Sequence, residues 1–129
     1  MTFTGVIIEE SLENKKVLER VKIIKTKKEK VTEKHQTPWV SWWTLHTVEI
    51  QEKNAEIVAK EISESLDRNH AWYADFKNKN YHFIIFRDKI FFIERISQKQ
   101  YDKARAYGIS LGIPECQVDF HPTIKEWKR

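Results

Sequence analysis

The stretch from His70 to Ile96, HAWYADFKNKNYHFIIFRDKIFFIERI, constrains the fold more than any other part of the chain. It contains three short runs rich in aromatic and large aliphatic residues, and the polar clusters NKN and RDK separate them. Short runs of this kind between turn-forming residues are typical of strands joined by tight turns. The stretch therefore predicts a three-stranded β-meander that forms the core of an α+β domain.

The three predicted strands differ in how their side chains divide between two faces, because successive strand residues point to opposite sides of a sheet. WYADFK has one apolar face and one polar face, and we expect the polar face, which carries Asp75, to meet solvent and let Asp75 pair with Lys77 or a neighbouring strand. YHFIIF and IFFIERI are apolar on both faces. We expect such strands to lie centrally in the sheet, covered by helices, a second sheet or a partner chain.

The first half of the chain predicts three further strands. FTGVIIEE is rich in β-branched residues, and VLERVKIIKTKKEKV alternates well enough for a long strand, although its first half also suits a short helix. WWTLHTVEI alternates from Trp42 onwards, so that Trp42, His46 and Val48 share one face.

Two helices are predicted, one before and one after the meander. Apolar residues recur at helical spacing over residues 54–67, with Asn54 as the N-cap. Ser97 and Gln100 form a capping box for a second helix, QKQYDKARAYGISLG, which Gly112 ends. The tail then offers a possible last strand around Val118, followed by a basic end.

The predicted order is β-β-β-α-β-β-β-α, and the fold class is α+β. We expect a curved, mostly antiparallel sheet of about six strands with both helices packed on it. A chain of 129 residues can form one hydrophobic core, so a single α+β domain over residues 1–129 is predicted.

Composition limits the cellular compartment and the kinds of partner that we expect for this protein. The single cysteine, Cys116, allows no internal disulfide, and the amino terminus lacks the basic start and long apolar run of a signal peptide. No stretch approaches the roughly 20 apolar residues of a membrane span. We therefore expect a cytoplasmic protein that does not associate with membranes.

The segment KIIKTKKEK is the most basic part of a chain whose net charge is only +4. One interpretation is an edge strand whose lysines discourage pairing with other chains. The alternative is a ribbon that contacts nucleic-acid phosphates, with exposed tryptophans as stacking surfaces. Glu29 and Glu33 interrupt the basic run and favour the edge strand.

Three of the five tryptophans, Trp39, Trp42 and Trp43, fall within five residues. They cannot all point into the core from one short element, so at least one is expected at a surface, a subunit interface or a pocket mouth. Polar residues also interrupt otherwise apolar strands, as ligand sites require. The ligand-binding residues predicted from these two observations are Trp42, Trp43, His46, Trp72, Asp75 and His82.

Catalytic and metal chemistry have weaker signals. Asp75 and Glu49 sit in apolar strands, where desolvation would raise a carboxyl pKa and a general acid and base pair could form. No histidine pair has single-element metal-ligand spacing, although His46, His82 and Asp75 could meet from separate strands. No phosphate-binding glycine loop or nucleophile motif is present, so no cofactor is predicted.

The sequence favours a small-molecule-binding domain with an aromatic cleft near Trp42, Trp43, Trp72 and Asp75. The ligand is expected to be small and polar or aromatic, and the protein is expected to form a homodimer. A nucleic-acid-binding protein and a small enzyme that uses strand carboxylates are the alternatives, and composition does not decide whether the chain is an enzyme.

Overall fold

The computed structural model describes residues 2–120, apart from the side chain of Lys34. Its six strands and two helices follow the predicted order, and the α+β class is confirmed. The elements are β1 (Thr2–Ile8), β2 (Lys22–Lys30), β3 (Trp42–Gln51), α1 (Glu52–Ser65), β4 (Tyr73–Lys77), β5 (Tyr81–Phe86), β6 (Lys89–Glu94) and α2 (Gln98–Ser110). None of the described helices has the length and apolar character needed to cross a bilayer.

All six strands form one sheet in the order β2-β3-β1-β4-β5-β6, and every neighbouring pair is antiparallel. The first strand in sequence therefore lies at the centre and joins the two halves of the sheet. Gly5 permits this contact, because a Cβ atom there would lie 1.9 Å from the backbone oxygen of Asp75. Only glycine allows the two backbones to come this close.

The two helices cover opposite faces of the sheet. On one face, α1 packs on a core that includes Phe3, Phe76, Phe83 and Ile85. On the other face, α2 and the segment that follows it bury Tyr73, Ile84, Phe86 and Ile93 together with Tyr101, Ala104, Ile113, Val118 and Phe120. The prediction that the Asp75 face meets solvent was therefore wrong, because α2 covers it.

Helix α1 begins two residues earlier than predicted. Gln51 is its N-cap, so Asn54 lies inside the first turn, and the helix ends at Ser65. In α2, the Ser97 hydroxyl accepts a hydrogen bond from the Gln100 backbone N–H, which confirms Ser97 as the N-cap. The reciprocal bond of the predicted capping box does not form, because the Ser97 backbone N–H donates to the Glu94 carbonyl. The Gln100 side chain accepts from the Glu94 backbone N–H, at 2.7 Å, and so ties the helix to β6.

The end of α2 follows the glycine pattern of the sequence. Gly112 has a φ of 91°, the left-handed conformation that ends a helix. Gly108 lies where a Cβ atom would come within 2.8 Å of the Val118 side chain, so the helix packs closely on the segment that follows it. The possible last strand around Val118 is wrong within the described residues, because a short 3₁₀ helix, Glu115–Gln117, precedes Val118 and residues 118–120 form no strand. The basic end, residues 121–129, lies outside the described residues.

The two edges of the sheet were predicted with different success. The run from Val17 divides into a 3₁₀ helix, Lys15–Arg20, and the lysine-rich strand β2, which is an edge strand as predicted. Strand β5 lies inside the sheet, as its two apolar faces predict. The same prediction was wrong for β6, which forms the other edge although its sequence is apolar on both faces.

Candidate functional site

A partly enclosed cavity of about 230 Å³ lies where three connecting segments meet. We call it the tryptophan cavity. Its main lining residues are Ile8, His35, Thr37, Trp39, Trp43, His70, Trp72, Tyr73, Ile113 and Gln117. Three tryptophan rings and one tyrosine ring are part of its lining, and hydroxyl, amide and imidazole groups supply polar atoms.

Three loops build the cavity: residues 31–41 before β3, residues 66–72 before β4, and residues 111–117 after α2. Hydrogen bonds hold these loops together. The Trp43 Nε1–H donates to the Thr37 hydroxyl at 2.9 Å, the Gln117 amide donates to the His35 carbonyl at 2.9 Å, and the Tyr73 hydroxyl donates to the Gln117 carbonyl. The cavity is thus assembled by distant parts of the chain and is fixed in shape by its own wall.

The three tryptophans of the cavity occupy different depths. Trp43 and Trp72 are buried, with ring centroids 5.9 Å apart. Trp39 packs its edge against Trp72 at 6.0 Å and remains 42% exposed. Trp39 therefore forms the rim of the cavity, and the other two form its wall.

An aspartate–histidine pair lies beside that rim. The His70 ring stacks on Trp39 with centroids 3.9 Å apart and an interplanar angle of 12°. Its Nδ1 is 2.6 Å from Asp67 Oδ2, so Nδ1 donates to the carboxylate and Nε2 is the ring nitrogen not engaged by Asp67. Among residues 2–120, no side chain or backbone group hydrogen-bonds to that Nε2.

Asp67 is held in its ionised form. Burial would raise the pKa of this carboxyl, but hydrogen bonds from the Asn69 backbone N–H and from His70, with a smaller contribution from the nearby Trp72 ring, lower it below its ordinary value. The Trp72 Nε1–H makes no hydrogen bond of good geometry within the described part of the chain. We therefore regard its contact with Asp67 as a weak electrostatic one, and the Asp67–His70 pair as the strong one.

A second polar group lies in the core beneath α2. Asp75 Oδ2 is 2.7 Å from His82 Nε2, and His82 Nδ1 is 3.1 Å from the Tyr101 hydroxyl. All three side chains are buried. Burial raises the pKa of the Tyr101 hydroxyl, against the opposing effect of Arg95. This chain of contacts satisfies polar groups that the closure of α2 over the sheet would otherwise leave without partners.

His46 belongs to a third group, on the face of β3 opposite Trp43. Its Nε2 is 2.9 Å from Glu9 Oε1, and its Nδ1 is 2.9 Å from the Thr26 hydroxyl. The hydrogen bond from His46 lowers the pKa of the Glu9 carboxyl. These contacts join β2, β3 and the turn after β1, and they explain why a histidine is buried there.

The structure thus separates the six predicted site residues. Trp43 and Trp72 line the tryptophan cavity, whereas Trp42 lies outside it, 46% exposed and paired with Lys30. Asp75 and His82 form the buried group, and His46 is on the other face. The possible metal site of His46, His82 and Asp75 is therefore wrong, and no group of three potential metal ligands occurs within residues 2–120.

The possible pair of catalytic carboxylates does not form either. Glu49 on β3 and Asp75 on β4 face strand β1 from its two sides, where they lie beside Thr4 and Val6 respectively. Two strand spacings separate the residues, about 9–10 Å between backbones, and the residues are also offset by two positions along β1, so the two carboxyl groups do not contact each other.

The sequence analysis missed Asp67, His70, His35 and the segment after α2. Histidine at position 70 follows Asp67 at a spacing that suits a local turn, and this was the one available signal. The other missed residues come together only where loops meet, and neither alternation nor helical spacing predicts which loops meet.

Comparisons with known proteins add no assignment. No family model matches this sequence, and no match was found among curated proteins or among solved structures.

Proposed function

We propose that this protein binds a small aromatic or polar-aromatic molecule in the tryptophan cavity. The observation that carries the proposal is a preformed concave site whose wall includes Trp43, Trp72 and Tyr73 and whose rim is Trp39. Ligand sites are commonly concave, mostly apolar and lined by aromatic rings with a few fixed polar groups.

The size of the cavity favours a ligand with a single ring. Pockets for drug-sized molecules commonly have volumes of about 300–1,000 Å³. The tryptophan cavity, at about 230 Å³, lies below that range. It suits a one-ring heterocycle or a phenyl compound better than a nucleotide or a dinucleotide.

The rim supplies the polar contact. The Thr37 hydroxyl accepts from Trp43, and one N–H of the Gln117 amide donates to His35, so part of the hydrogen-bonding capacity of both groups is already used. His70 Nε2 has no such partner among residues 2–120, and Asp67 fixes the orientation of the ring that carries it. We infer that the ligand stacks near Trp39 and exchanges one hydrogen bond with His70.

A thermal-shift and tryptophan-fluorescence screen against single-ring aromatic and N-heterocyclic metabolites tests this proposal. The substitution Trp39→Ala should weaken binding at least about fivefold, because one stacked ring contributes about 1–3 kcal/mol. Trp42→Ala is the matched control: Trp42 is equally exposed but lies outside the cavity, so binding should not change. A screen without any response, or equal losses in both variants, would contradict the proposal.

A second candidate is binding to single-stranded nucleic acid through β2. Lysines at positions 22, 25, 27, 28 and 30 are all exposed on this strand, and Lys30 pairs with the exposed Trp42. An aromatic ring beside a basic ribbon is the arrangement that stacks bases and contacts phosphates.

Fluorescence anisotropy with a labelled oligonucleotide at several salt concentrations tests this second candidate. Replacing Lys27 and Lys30 by Gln should weaken binding and reduce its salt dependence. The same change at Lys53 and Lys60, two exposed lysines of α1, is the control. No binding at low salt would exclude this candidate.

We propose a cytoplasmic location for either activity, because the only cysteine, Cys116, is an exposed free thiol.

A further inference from the structure

Strand β6 has the composition of an interior strand and the position of an edge strand. Its sequence, KIFFIE, is apolar on both faces, yet one long side of the strand has no neighbour among the described strands. Phe92 is 53% exposed as a result, and it stacks on Tyr81 at the surface. The opposite edge, β2, carries five lysines, which is how edge strands commonly resist pairing. The edge at β6 carries no such protection over its four central residues.

The free backbone groups of β6 can be assigned from its register. A two-residue turn, Arg87 and Asp88, joins β5 to β6, so the flanking pair Phe86 and Lys89 is a hydrogen-bonded pair. Alternation along the ladder then directs the backbone groups of Ile90, Phe92 and Glu94 away from β5. The Glu94 N–H, which donates to the Gln100 side chain, agrees with this assignment.

Ile90 and Phe92 are the other two residues whose backbone groups point away from β5. Within residues 2–120, no hydrogen-bond partner is found for the outward N–H and C=O groups of these two residues. The two residues are separated by Phe91 only, and both side chains point to the face that α1 covers. Two pairs of free groups with this spacing form a self-complementary edge, since one copy rotated by 180° presents the same pattern in reverse.

We propose that β6 pairs with β6 of a second copy of this chain, antiparallel, about a two-fold axis that passes beside Phe91. Ile90 of each subunit then pairs with the partner subunit's Phe92 through about four backbone hydrogen bonds in total. The two six-stranded sheets become one continuous sheet. A pairing shifted to centre on Phe92 would need the Glu94 N–H, which Gln100 already occupies.

A groove beside the strand fits this arrangement. Glu56, Ala59, Lys60, Phe83, Ile90 and Phe92 line a groove of about 380 Å³ between α1 and β6. The Ile90 pairing places the partner subunit's Phe92 next to Ile90, at this groove. Each subunit therefore contributes one exposed aromatic ring and one apolar groove, and in an isologous interface the ring of each subunit packs at the groove of the other.

Molar mass in solution, measured by light scattering over a range of concentrations, is the first test. We expect twice the chain mass of 15.5 kDa, falling towards one chain on dilution. Phe92→Lys should shift the protein to a monomer that keeps its circular-dichroism spectrum, because the side chain is exposed. Ile57→Lys, at a site that is 60% exposed on α1, is the matched control and should remain dimeric.

The register is tested by a disulfide. With Cys116→Ser to remove the native thiol, Phe91→Cys should form a crosslinked dimer under mild air oxidation, because residues on a two-fold axis in a non-hydrogen-bonded pair bring their Cβ atoms close. Phe92→Cys should crosslink more slowly. A monomer at every concentration would overturn the proposal, and so would a dimer that survives Phe92→Lys and does not crosslink at position 91. A monomer that instead binds extended peptides at β6 would assign the edge to a different partner.

Discussion

The side chains of Asp75 and His82 obtain their properties from their surroundings rather than from their place in a strand. Both alternate with apolar residues, a pattern that in an exposed sheet would direct them to water. Because α2 covers that face, the two groups pair with each other and with Tyr101. A buried hydrogen-bonded pair that contains a carboxyl group stabilises a fold less than its geometry suggests, but the loss of one partner is costly.

We therefore predict that His82→Phe lowers the free energy of unfolding by about 3–5 kcal/mol, since Asp75 would lose its histidine partner in the core. Changing both residues together, Asp75→Val with His82→Phe, should recover a large part of this loss because no charge is then buried at the site. Urea unfolding followed by circular dichroism measures both. A loss below about 1 kcal/mol for His82→Phe would show that the contact contributes little.

At the scale of the element, α2 is held against the sheet by side chains beyond its own sequence. On its buried face, Gly108 lies directly against Val118 and Phe86. In an exposed helix a glycine-to-alanine change stabilises by about 1 kcal/mol. Here the added methyl group would overlap Val118, and overpacking of a core costs about 1–3 kcal/mol.

Gly108→Ala should therefore leave the protein less stable or unchanged, in contrast to the usual gain. Gly108→Ala combined with Val118→Ala should be more stable than Val118→Ala alone, because the added methyl group then has room. Differential scanning calorimetry of the three variants gives the comparison. If Gly108→Ala by itself raised the melting temperature, the close contact between α2 and Val118 would be contradicted.

At the scale of the molecule, the sequence predicts the number, type and order of the elements, because alternation and helical spacing are local properties. It does not predict the order of strands within the sheet. That order depends on Gly5, which lets β1 enter the centre, and a glycine in a strand is equally typical of a bulge or a sharp bend. The edge position of β6 and the burial of Asp75 both follow from this order and from the placement of α2.

The candidate site was predicted only in part for the same reason. Trp43 and Trp72 lie in a strand or directly before one, so their apolar character could be assigned from the local pattern. Trp39, Asp67 and His70 lie in loops. Their proximity is created when residues 31–41, 66–72 and 111–117 meet, and no local pattern encodes that meeting.

The central position of β1 also has a consequence for the order of folding. The β5–β6 hairpin needs only a two-residue turn and can form within microseconds, whereas β1 must wait for two partners far along the chain, β3 and β4. During synthesis β1 thus leaves the ribosome before both of its partners and is paired on both sides only after β4 has emerged. Until β4 arrives, its apolar residues and backbone groups are available to chaperones and to other nascent chains.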